Sequence, residues 1–170
     1  MKRLLLLFSL IFVFVICQGQ YPGIVAGSNA STGAYSSERL TDGTLDVGSA
    51  WSVTGGWSYD AEADNMVFDD ATNGNLVQAD GDMAFSILNN KRYKIAFDIS
   101  IIGGGNANFN MKSWTGDELY VDYADYADGP HSLEFDSPVG VFEGGIAIRA
   151  DENNCDAAFT IDNISIMEVF

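Results

Sequence analysis

Apolar residues in this chain recur at every second position, and that period constrains the fold more than any other feature. Met66/Phe68, Tyr93/Ile95/Phe97/Ile99/Ile101, Phe109/Met111, Leu119/Val121/Tyr123, Leu133/Phe135 and Ile146/Ile148 all follow it, with turn residues between the groups. Alternation of this kind sends one face of an extended strand toward a core and the other toward water, and no segment carries the longer period of an amphipathic helix. With Asn75 to Gln78, Ala84 to Ile87 and Ala158 to Val169 added, the pattern predicts about ten strands, an all-β chain built as a two-sheet antiparallel sandwich. Gly103-Gly104-Gly105-Asn106 lies between two strand patterns and is expected to close a hairpin, since glycine tolerates the positive φ of tight turns. In the last strand Phe159 and Ile161 are out of phase with Ile164 and Ile166, and either a bulge at Asp162-Asn163 or burial on both faces would explain the slip.

The N-terminus is organised differently. Lys2 and Arg3 precede an apolar run from Leu4 to Ile16 that is shorter than the ~20 residues of a membrane span, the layout of a cleaved export signal. Small residues at Cys17 and Gly19 place cleavage after Gly19, so residues 1–19 are read as signal, 20–37 as a Gly/Ser-rich leader and 38–170 as the domain. The rival reading keeps Cys17 as a lipid-bearing residue, for which the preceding Ile16 is a poor fit. Cleavage leaves Cys155 as the sole thiol, without an intrachain disulfide partner. It also takes the balance to 6 basic against 24 acidic residues, near −18. Such a surface repels phosphate backbones, which excludes nucleic acid as the expected partner, and no membrane span remains after cleavage.

Three segments then carry a family resemblance. They are the opening Leu40-Thr41-Asp42-Gly43 with Trp51 and Gly56-Trp57, the middle Tyr93 to Ser100, and the closing Phe159 to Ile166. Together they resemble the galactose-binding-like jelly rolls found among carbohydrate-binding modules, over roughly Glu38 to Phe170. The resemblance implies a jelly-roll sandwich and a non-catalytic, secreted glycan-binding module. It also implies a structural calcium ion where the closing strand meets the opening segment, with Asp162 at the matching position and Asp42 a looser candidate. Related domains in surface and virion proteins keep an adhesion or structural role open as the alternative.

Flat aromatic rings stack on sugar faces while polar groups address the hydroxyls. On the strand from Arg92, the residues opposite the apolar set are Arg92, Lys94 and Asp98. The expected hairpin would set Asn108, Asn110, Lys112 and Trp114 beside them, with Tyr120 a second stacking platform. Four of the six mature basic residues fall at Lys91, Arg92, Lys94 and Lys112, which would suit an acidic glycan. Trp51 and Trp57 read as core or loop anchors, and Asp60 to Asn65 as a solvated acidic hairpin in preference to a calcium loop. Asp122 to Asp128, with its Tyr-Ala-Asp repeat, reads as a strand end running into a loop. Catalysis has thin support: His131 is the one histidine and reads as a strand-entry residue, Cys155 as a small buried one, and no Gly-x-Ser-x-Gly elbow is present. Paired carboxylates for glycoside hydrolysis cannot be singled out by spacing, so a glycan-active enzyme stands as the last alternative.

Overall fold

The computed structural model describes residues 34–45, 50–115, 118–139 and 144–170. The expected signal segment with Cys17, and the leader up to residue 33, lie outside the described residues. Among these residues ten strands form two antiparallel five-stranded sheets. They are β1 (Ser52–Val53), β2 (Trp57–Asp60), β3 (Asn65–Phe68), β4 (Gly74–Gln78), β5 (Arg92–Ile102), β6 (Ala107–Ser113), β7 (Leu119–Tyr126), β8 (Gly129–Asp136), β9 (Ile146–Ala150) and β10 (Ala158–Glu168). The order is β1-β4-β9-β6-β7 in one sheet and β2-β3-β10-β5-β8 in the other.

Period-two alternation builds the core between the sheets. Tyr93, Ile95, Phe97 and Ile99 of β5 point inward, as do Phe109 and Met111 of β6, Ile146 and Ile148 of β9, and Phe159, Ile161, Ile164 and Ile166 of β10. Aromatic rings bind the two layers together: Phe109 lies 4.4 Å from Tyr126, 5.5 Å from Phe97 and 5.7 Å from Phe159 between ring centroids. Trp57 closes one end against Phe68 and Phe159 and is a core residue, while Trp51 is buried with its indole N–H donating to the Asp42 carbonyl.

The phase slip in the last strand is a bulge. Asp162 pairs with Asp98 and Ser165 with Ala96, so β10 spends an extra residue between them and Ile164 and Ile166 return to the core face. Asn163 occupies the bulge at φ 50°, a left-handed conformation that asparagine tolerates better than most residues. The β2–β3 connection is the acidic hairpin expected at Asp60 to Asn65, with the Asp60 carboxylate accepting the backbone N–H groups of Glu62 and Ala63.

Two expectations are corrected. Gly103 to Asn106 does not close a hairpin: β5 pairs with β8 and β10, β6 pairs with β7 and β9, and the glycine turn carries the chain from one sheet to the other. The three glycines do adopt positive φ, at 89°, 91° and 109°, so the local conformation was expected but its destination was not. Ala84 to Ile87 is not a strand. Its backbone bonds are single and go to different places, Phe85 N–H to the Arg39 carbonyl and Ile87 N–H to that of Gly144, so no ladder can form.

The opening segment zips onto the far end of β10. Tyr35 bridges Val169, within the stretch expected as leader, and the Ser36 and Arg39 N–H groups donate to the carbonyls of Glu168 and Ile166. The Glu38 carboxylate accepts from the N–H groups of Ile166, Arg39 and Leu40. Buried Glu168 is neutralised by Arg39 and by Lys91, the latter at 3.1 Å.

Candidate functional site

Because β5 and β6 lie in different sheets, the single polar face expected from Arg92 to Trp114 splits in two. Arg92, Lys94 and Asp98 occupy the outer face of the β5 sheet, opposite its apolar set. Asn108, Asn110 and Lys112 occupy the outer face of the β6 sheet, on the other side of the molecule's core. Tyr120 is on neither. It is 7% exposed, its ring stacks on Phe135 at 5.1 Å between centroids, and burial pushes its hydroxyl pKa well up. The register of β7 shifts twice against β6, and those irregularities remove Tyr120 from the alternation that predicted an exposed platform.

The basic cluster is also spoken for. Arg92 pairs with Asp136 at 3.0 Å and lies 3.8 Å from Glu134, Lys91 binds Glu168, and the Lys94 ammonium sits over the Tyr35 ring at 5.3 Å. Asp98 faces Asp162 across the β5–β10 pair, and the Asn163 side-chain amide donates to both carboxylates, at 2.9 and 3.4 Å. The charged groups named on this face are held by ion pairs, a cation–π contact and the Asn163 amide.

The outer face of the β6 sheet is built otherwise. Leu76 on β4, Ile148 on β9, and Phe109 and Met111 on β6 point into the core, which turns Asn75, Arg149 and Asn110 outward. Register places the three on one rung, Asn75 opposite Arg149 and Arg149 opposite Asn110. Directly opposed residues bring their Cβ atoms to about 4.5–5.5 Å, so the guanidinium stem stands between two amides. Asn110 is 5% exposed, yet its Oδ1 has no hydrogen-bond partner, and neither has the buried Oδ1 of Asn75. Tyr123 of β7 adds a partly buried phenol. Burial raises its pKa, and the neighbouring Arg149 pulls it back.

The two ends of this face differ in chemistry. Toward the end of β6, Lys112 lies opposite Ala147 on β9, and Trp114 follows with 42% of its surface exposed, its backbone N–H donating to the Gly145 carbonyl. Toward the start of β6 the surface is acidic. Asn108 donates to Asp125 at 2.6 Å, and Asp151 stands 4.0 Å from Arg149. Beyond them the Asp70 carboxyl is raised by desolvation and by the charges of Asp156, Asp69 and Glu152.

The histidine and the described cysteine are committed elsewhere. The His131 ring packs on Phe97 and Tyr126, with Nε2 2.7 Å from the Ala127 carbonyl oxygen. Cys155 is buried, its thiol donates to the Asn108 carbonyl at 2.9 Å, and burial raises its pKa. Asp42 lines a hollow of about 380 Å³ with Glu38 and Asn163 where the opening segment meets β10. Asp162 instead accepts the Asn163 backbone N–H at 2.6 Å, and among the described residues no three Asp, Glu, His or Cys side chains gather as a metal ligand set. Calcium takes ~6–8 oxygens, so backbone carbonyls would have to complete any set that Asp42 and Asp162 begin.

No protein-family model matches the sequence, and no curated protein matches it. Solved structures do match. A CBM4 carbohydrate-binding module superposes with a TM-score of 0.54 at 14% identity, over 76% of this chain and 99% of that one. The fold this likeness shows is a two-sheet jelly-roll sandwich. A cyclase from Fischerella sp. TAU shares it, with a TM-score of 0.54 at 12% identity, over 79% of this chain and 98% of that one. So does part of an arabinose-bound α-L-arabinofuranosidase, with a TM-score of 0.56 at 8% identity, where the match covers 81% of this chain and 27% of the enzyme. Binding modules and enzymes both use this jelly roll, so function has to be argued from the site.

The sequence had picked out Asn108, Asn110 and Lys112, which the structure brings to one face, and Trp114, which is exposed just past the end of the same strand. It missed Asn75 and Arg149. Arg149 alternates with the inward Ile146 and Ile148, so its outward direction was readable, but nothing local said that β9 lies between β4 and β6.

Proposed function

We propose that this protein is a secreted, non-catalytic glycan-binding module whose site is the outer face of the β1-β4-β9-β6-β7 sheet. The observation that carries the reading is the gathering, on one face, of outward amides (Asn75, Asn108, Asn110), the cations Arg149 and Lys112, and an exposed tryptophan at its edge. An aromatic ring gives the apolar face of a sugar somewhere to stack, and fixed amides and a guanidinium meet its hydroxyls. The jelly roll shared with a carbohydrate-binding module supports the same reading. Support for a binding role over catalysis comes from His131, held in an aromatic packing, and from Cys155, whose thiol burial disfavours ionisation. Export is supported by the Lys2-Arg3 charge and the Leu4 to Ile16 run, and an N-terminus at Gln20 on exported protein checks it by mass spectrometry.

The binding test is calorimetric titration of the full chain with a panel of soluble polysaccharides, repeated on Trp114→Ala with a glycan that the wild type binds. Loss of one stacked aromatic should cost about 1–3 kcal/mol, the scale of burying a large apolar side chain. That weakens binding by roughly 5- to 150-fold. Unchanged affinity in a folded variant removes Trp114 from the site, and absence of binding to any glycan removes the reading.

A further inference from the structure

We infer that the Asn75–Arg149–Asn110 rung is the specificity-determining subsite of this face, and that it takes hydroxyl groups of an uncharged sugar and discriminates against carboxylated ones. The inference rests on the glycan reading above.

Hydrogen-bond capacity is the first argument. Asn110 is more than nine-tenths buried with an unpartnered Oδ1, and the Oδ1 of Asn75 is unpartnered across the rung. Buried polar atoms in folded proteins are paired with few exceptions, so two orphan acceptors flanking one guanidinium call for a ligand that supplies donors. Amide oxygens only accept and a guanidinium only donates, whereas a sugar hydroxyl does both. A pair of adjacent hydroxyls seated on the rung can donate outward to Asn75 and Asn110 while accepting from Arg149. A carboxylate satisfies Arg149 and brings no proton for either amide oxygen.

Charge is the second argument. Rotating the amides to present Nδ2 would give a carboxylate its donors, so hydrogen bonding alone would not exclude one. The surroundings do. Asp151 stands 4.0 Å from the Arg149 guanidinium, Asp70 feels the charges of Asp156, Asp69 and Glu152, and Asp125 accepts from Asn108 at the start of β6. Against these acids the face offers Arg149 and Lys112. An incoming carboxylate meets a net negative surface, on a chain whose overall charge is −16, and a neutral hydroxyl does not. The opposite face does not alter this, because Lys91 and Arg92 are in ion pairs and Lys94 sits over Tyr35.

The test measures affinity of the full chain for neutral polymers (arabinoxylan, mixed-linkage β-glucan, galactomannan) and for polyuronates (polygalacturonate, alginate), at low and high salt. At low salt the best neutral polymer is expected to bind at least tenfold more tightly than either polyuronate. The gap should narrow as salt screens the acids, given a Debye length of about 10 Å at 0.1 M. Arg149→Met and Asn110→Ala are each expected to weaken the neutral ligand at least fivefold without lowering the melting temperature, since neither group is needed by the core. A polyuronate that binds as tightly as the neutral polymers overturns the inference. So does wild-type affinity in both rung variants when Trp114→Ala has lost it, and in either of these cases the glycan reading survives. Failure of every polymer to bind overturns that reading and this inference with it.

Discussion

Phe109→Ala should be the most damaging single truncation on the strand that carries the site. Phe109 is fully buried and its ring touches one partner from its own sheet, Tyr126, and two from the other, Phe97 and Phe159. Removing a buried phenylalanine costs about 3–5 kcal/mol, of which the lost ring pairs supply roughly 0.5–1.5 kcal/mol each. Three pairs are lost here across both layers, so the upper half of that range is expected. A domain of this size has about 5–15 kcal/mol in total, so the variant should fold but be marginal. Urea denaturation followed by tryptophan fluorescence is the assay. With a slope of about 2 kcal/mol per molar urea, the midpoint should fall by roughly 2 M with the slope unchanged. Phe85→Ala makes the comparison, because Phe85 is 53% exposed and its loss should cost less than about 1 kcal/mol. A midpoint shift for Phe109→Ala no larger than that of Phe85→Ala would refute the claim that this ring ties the sheets together.

Other outcomes follow from the same packing. Asn163→Asp keeps a residue that accepts the left-handed bulge but replaces the amide bridging Asp98 and Asp162 with a third carboxylate. It is expected to cost about 0.5–1.5 kcal/mol by thermal melting, with part recovered in high salt. Burial raises the pKa of Tyr93, Tyr120, Tyr126 and Cys155, so above the unfolded-state values the unfolded chain sheds protons that the folded one retains. Stability is therefore expected to hold up to about pH 8.5 and to fall as the pH rises beyond it. Urea midpoints between pH 7 and 11 would check this, and a midpoint still flat at pH 11 would contradict it.

Alternation within a strand is local information, and most of what it dictated is present in the structure. The inward residues of β3, β5, β6, β8 and β9 were legible, and so was the bulge at Asp162-Asn163, because a phase slip leaves a mark in the sequence itself. Strand β1 was not, since two residues are too short to display a period, and β2 reads only as a Gly-Trp turn. The larger miss was at Gly103 to Gly105. Glycines announce that the chain turns, but whether it returns to its own sheet or crosses to the facing one depends on partners distant in sequence. That error placed Arg92, Lys94 and Asp98 beside Asn108 and Asn110 when the core separates them. The same non-locality hid Asn75 and Arg149, whose significance comes from strand order. Tyr120 failed for a different reason, since irregular pairing in β7 cancelled the parity argument that turned it outward.

The zipped seam at Tyr35 and Val169 also bears on how the domain would respond to force. Tyr35 pairs antiparallel with Val169, and the Phe170 N–H donates to the Ala34 carbonyl, so the two ends of the described domain meet at one corner. A pull applied to both ends would load the bonds of the opening segment one after another, beginning with Ala34–Phe170 and moving on to Ser36–Glu168 and Arg39–Ile166. A seam loaded that way peels instead of shearing. The Arg39–Glu168–Lys91 cluster next to the corner would hold longest, because parting it leaves the buried Glu168 charge unpaired, and the outer face of the other sheet takes no part in the seam.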